Sequence, residues 1–75
     1  MGLPTTTEML ASLDDELVDL LAERMRLVSA LPAPRTAAEL EAIVDRMRNL
    51  ALAYGAPSDM TVAIARALVD EERGG

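Results

Sequence analysis

Arg24 interrupts a run of apolar residues, Leu10, Leu13, Leu17, Leu20, Leu27 and Leu31, that otherwise steps mainly by three and four. At about 100° per residue, this puts Arg24 in the middle of a leucine stripe on one helix face. A guanidinium stays charged at any working pH, and burying it unpaired is costly. A carboxylate must therefore meet it. One source is the protein itself. Asp14 lies toward the edge of the same stripe, flanked by Leu10, Leu17, Val18 and Leu21. It is too far along one helix to reach Arg24, but in an antiparallel pair of helices the two would meet as an intersubunit ion pair that fixes register. The other source is a small acidic ligand held between helices, for which an arginine is the natural anchor. Spacing alone leaves both open.

The remaining charged residues have simpler readings. Arg35 follows Pro32 and Pro34, so a rigid turn would aim it at a fixed point; a solvated loop arginine is the plainer alternative. Glu39 and Glu41 fall on the first turn of the next helix, where carboxylates favour the N-terminal dipole. Glu41 lies to one side of the apolar stripe and could still face a cleft. Arg26, Arg46, Arg48 and Arg73 alternate with Asp19, Glu23, Asp45 and Glu72 and read as surface charges worth little each. Met9, Met25, Met47 and Met60 read as core or interface filler.

Composition removes most reaction classes. The chain has no cysteine, histidine or lysine, so it lacks a thiolate, an imidazole base and the commonest metal ligands. No nucleophile triad or glycine-rich phosphate loop occurs. Asp14, Asp15 and Glu16 point in different directions from consecutive helix positions and make a poor metal cage. No cofactor and no metal are expected. A net charge of −6 and a single aromatic residue, Tyr54, argue against nucleic acid. No apolar run reaches membrane-spanning length, and residues 1–7 lack a basic start and a hydrophobic segment. A soluble, cytoplasmic protein of one domain is expected.

The elements that position Arg24 and Arg35 are helices. Thr5-Thr6-Thr7-Glu8 and Thr36-Ala37-Ala38-Glu39 have the capping-box form. They open helices expected over about 5–31 and 36–54, the first stopped by Pro32-Ala33-Pro34 and the second by Gly55. Ala56-Pro57-Ser58-Asp59 reads as a turn with an N-cap before a third helix over 58–72. The second stripe is Leu40, Ile43, Val44, Met47, Leu50, Ala51 and Tyr54. The third helix is apolar on two sides, one with Met60, Ala63, Ile64, Ala67 and Leu68, the other with Val62, Ala65 and Val69. A first helix of about 26 residues spans roughly 39 Å. A compact chain of this length has a radius of gyration of about 11 Å. The long stripe outruns what two shorter helices can cover, which predicts a homodimer with paired long helices.

The run Leu13-Asp14-Asp15-Glu16-Leu17-Val18-Asp19-Leu20-Leu21-Ala22-Glu23-Arg24-Met25 resembles the first helix of the all-helical class of chorismate mutases. The order of a long helix, a turn, a second helix ending in Ala53-Tyr54-Gly55 and a third helix is similar as well. The resemblance extends to the isochorismate-pyruvate lyases of the same fold, which share a proline-containing link before the second helix. It implies an all-α fold of three helices in an intertwined homodimer, with two sites each lined by both chains. The reaction implied is the pericyclic rearrangement of chorismate to prephenate, which uses no nucleophile, base, metal or cofactor. By position, Arg24 matches the family's carboxylate-binding arginine, and Arg35 stands for a cationic residue that contacts the ether oxygen. Glu41 stands for the glutamate that holds the substrate hydroxyl. Thr7 stands where the family has an arginine reaching into the partner's site. Glu72, at the end of the third helix, would lie close to the anionic substrate. The link before Arg35 is shorter than the family's. The implied function is a chorismate mutase-type isomerase, weak alone or tuned to a substituted chorismate, with an activating partner enzyme among its expected partners. A non-catalytic dimer acting as an interaction module and an isochorismate-pyruvate lyase are the alternatives.

Overall fold

Thr5 begins the first helix by the expected reciprocal capping. Its hydroxyl accepts the Glu8 N–H at 3.1 Å, and its own N–H donates to the Glu8 carboxylate at 3.2 Å. Two of the helix's orphan donors are thereby satisfied. The computed structural model describes residues 2–74, which form three helices and no strand among the described residues. They are α1 (Thr6–Ser29), α2 (Ala37–Tyr54) and α3 (Ser58–Glu72). The chain divides into two compact units, Met1–Leu31 and Pro32–Gly75.

In the first unit, α1 stops at Ser29, two residues short of the expected end. Leu31 precedes Pro32, and a residue before proline is pushed out of the helical region. The last turn tightens accordingly: Ala30 and Leu31 donate to the carbonyls of Leu27 and Val28, three residues back, each at 3.1 Å. No residue of α1 is buried. Leu10, Leu13, Leu17, Leu20 and Leu27 all stand exposed, each between 50% and 65%.

In the second unit, Thr36 repeats the capping box with Glu39. Gly55 ends α2 at φ 74°, a left-handed conformation that a side chain would strain. Both Gly55 and Ala56 donate to the Ala51 carbonyl, and the chain turns into α3. The cap position of α3 is Pro57, which makes no side-chain hydrogen bond, and Ser58 is the first helical residue.

Helix α2 packs against α3 through Leu40, Ile43, Val44, Ala65 and Val69, with Met47 and Val62 against that cluster. Of α3's two apolar sides, the one carrying Val62, Ala65 and Val69 faces α2, while Met60 and Ile64 stay exposed. Tyr54 and Leu50, expected in the α2 stripe, are exposed too. Tyr54 is the last helical residue before the turn, where α3 has not yet begun to cover it.

Val44 is fully enclosed. Each buried aliphatic side chain contributes about 1.5–3 kcal/mol, so a core this thin depends on every member. Val44→Ala is expected to destabilise this unit by about 2 kcal/mol, read as a lower denaturation midpoint at unchanged slope.

Candidate functional site

The two units carry the sequence-selected residues separately. Thr7 and Arg24 belong to α1; Arg35, Glu41 and Glu72 belong to the second unit. Thr7 is exposed in the first turn of α1. Arg24 is half-buried among leucines that are themselves exposed, the most enclosed position of the stripe's central stretch.

Arg35 and Glu72 are brought together. The Arg35 Nε donates to one carboxylate oxygen of Glu72 and its Nη2 donates to the other at 2.7 Å, a two-bond fork across 37 residues of sequence. The Glu72 side chain is only 6% exposed and that of Arg35 26%. Glu72 is therefore not a solvated end-of-helix charge. It lies three residues past Val69 and seven past Ala65, so it continues the face that α3 turns toward α2. That register was the available signal for its enclosure. Its partner had no local signal, because Arg35 lies in the link before Thr36.

The Glu72 hydrogen bond is the chief cause holding the Arg35 pKa above its already high ordinary value. Desolvation opposes this in part, and the Glu72 and Glu39 carboxylates add attraction. Stability from a raised cation is present at all lower pH and is lost only as pH rises through the folded value, far beyond working conditions. The Arg35 cation is permanent in practice.

Glu39 behaves oppositely. The Thr36 N–H donates to its carboxylate at 2.9 Å, and the capping contact holds its pKa below the ordinary carboxylate value. Its contribution is present above the unfolded-state pKa and is lost as pH falls through the depressed folded value. Helicity of the wild type should thus show an acid-side loss that Glu39→Gln lacks, followed by far-ultraviolet circular dichroism from neutral to strongly acidic pH.

Glu41 meets Arg66, a residue the spacing had not singled out, at 3.4 Å. Both side chains are 54% exposed, so the pair contributes little. Arg26 with Glu23 at 2.6 Å and Arg48 with Asp45 at 2.7 Å are ordinary pairs within one helix turn. Among the described residues, no three carboxylates gather to hold a metal, and no helix is long and apolar enough to cross a membrane.

Two arginines thus bear on anion chemistry: Arg24, half-buried on α1 and itself engaged, and Arg35, whose fork is filled by a carboxylate in the second unit. No protein-family model, no curated protein and no solved structure matches this chain.

Proposed function

We propose that the chain is a chorismate mutase-like helical protein. In this reading two copies pair antiparallel along α1 and hold a small dicarboxylate of the chorismate type against Arg24. The observation that carries it is the state of α1: a 24-residue helix with no buried residue, whose stripe of exposed leucines contains the half-buried Arg24. An apolar stripe of that length is a liability in water unless another surface covers it. Covering it would dehydrate Arg24 further and strengthen its grip on a carboxylate.

The rearrangement proposed for such a site is unimolecular. An ether C–O bond breaks while a C–C bond forms, with no proton or electron supplied from outside. The protein's task is to hold the substrate folded and to place cationic donors where charge develops. Arg24 serves the first task by fixing a carboxylate through its planar fork. Cytoplasmic operation belongs to this reading, because a dianion does not cross a bilayer unaided.

The Arg35–Glu72 fork favours a second reading, in which the dimer is an interaction module without turnover. An arginine engaged by an internal carboxylate is not at hand for an ether oxygen. Ultraviolet absorbance of chorismate mixed with purified protein separates the two. Steady loss of chorismate with formation of prephenate is the expected result. No loss at high protein concentration, with normal helicity, selects the interaction module. Pyruvate released from isochorismate would point instead to lyase chemistry in the same seam.

A further inference from the structure

We propose that α1 is a conditional helix: it is largely unfolded in a single chain and forms as a second copy covers its leucine stripe. The inference rests on the α1 pairing proposed above and adds how the Arg24 niche is switched on. The local forces within α1 are set against independence. In its favour stand the Thr5–Glu8 capping box and one opposite-charge pair, Glu23 with Arg26. Against it stands the side turned away from the stripe. Asp15, Asp19 and Glu23 follow one another at four-residue spacing, and Glu16 lies three residues before Asp19. Side chains at those spacings are neighbours on a helix, and like charges there destabilise it by about as much as opposite charges stabilise it. Aspartate, present at positions 14, 15 and 19, is also among the weaker helix formers. Most helical stability in proteins comes from packing an apolar face, and no residue of α1 is buried.

The second unit differs. Helices α2 and α3 share a core of Leu40, Ile43, Val44, Ala65 and Val69, to which α1 contributes no residue. That unit holds its helices whatever the state of α1. For α1, a second copy is the cover that the charge pattern fits. Antiparallel pairing centred near residue 19 sets Leu10 against Val28, Leu13 against Met25, Leu17 against Leu21 and Asp14 against Arg24, each repeated by the two-fold symmetry. Apolar residues then meet apolar ones, the one acid at the stripe's edge meets its one cation, and the acidic ridge of both copies points away from the seam. Folding of α1 and association become one event. The Arg24 niche exists only in the pair, and in dilute protein its abundance grows with the square of chain concentration.

Amide hydrogen exchange of the full chain, read residue by residue at two concentrations, tests this. Where the chain sediments as a pair, residues 13–27 should be protected along with α2 and α3. Where it sediments at 8.0 kDa, protection over 13–27 should fall by about tenfold or more, while Val44, Ala51 and Ala65 keep theirs. Protection of α1 that persists in the single chain overturns the proposal and leaves the pairing intact. Simultaneous loss of protection in both units overturns it too. A chain that sediments singly at every concentration removes the pairing reading and this proposal with it. Asp19→Lys supplies a second arm, because it turns the repulsive spacings to Asp15, Glu16 and Glu23 into attractive ones on the side away from the seam. At a concentration where this variant also sediments singly, exchange over 13–27 should be about fivefold slower than in the single wild-type chain. Exchange equal to that of the wild type would overturn the part assigned to the acidic ridge.

Discussion

A Leu17→Glu/Leu20→Glu double variant is expected to sediment at 8.0 kDa, the mass of one chain, and the wild type, on the proposed pairing, at twice that value. Both leucines stand at the centre of the α1 stripe, 50% and 65% exposed in the single chain. Pairing along the stripe would bury them in both copies. At about 1.5 kcal/mol or more for each leucine, four lost burials remove about 6 kcal/mol, a factor of about 10⁴ in dissociation constant. Four added carboxylates facing one another deepen the loss. Leucine and glutamate have similar helix propensity, so the change acts on association more than on the intrinsic tendency of α1 to be helical. The variant should nonetheless lose some helicity, because an isolated helix of this length is marginal in water. The second unit, whose core of Leu40, Ile43, Val44, Ala65 and Val69 contains no α1 residue, should keep its own unfolding transition. A double variant that still sediments as a pair removes the seam from the account.

Arg24→Ala is expected to lower chorismate turnover by about 10²–10³-fold while leaving the sedimenting mass unchanged, as removal of one positioned cationic donor does in other sites. Arg24→Lys keeps the charge but gives up the planar fork, so it should recover only part of the loss. The pattern matters more than either value. Loss of turnover together with loss of pairing would make Arg24 a register-fixing residue opposite Asp14, the protein-carboxylate alternative that spacing alone left open. Turnover indifferent to Arg24→Ala would remove Arg24 from any role with substrate.

Local features of this chain were legible in its sequence because their causes are local. The Thr5–Glu8 and Thr36–Glu39 boxes are spacing rules of three residues, and Gly55 is the residue a left-handed helix end favours. The core face of α2 followed from periodicity at Leu40, Ile43, Val44 and Ala51. Periodicity could not choose between the two apolar sides of α3, because both satisfy the same pattern. Packing against α2 selected Val62, Ala65 and Val69. Arg35 and Glu72 were each noticed as charges near a candidate site, yet their pairing spans 37 residues and no short-range rule connects them. The stripe of α1 was legible as apolar. A surface that would cover it lies outside any spacing rule within α1.

The claim on which the account rests is that two copies of α1 lie antiparallel along their leucine stripes. The chain contains no cysteine, so a single Glu16→Cys substitution accepts one spin label at a defined place beside the stripe. Helices packed at about 8–10 Å, with the pairing centred near residues 18–19, put the two labels within about 20 Å of each other. Dipolar spectroscopy of the labelled protein should show a distribution centred near that distance. It should vanish when labelled chains are diluted with excess unlabelled wild type. Absence of dipolar coupling in the undiluted protein would contradict the account.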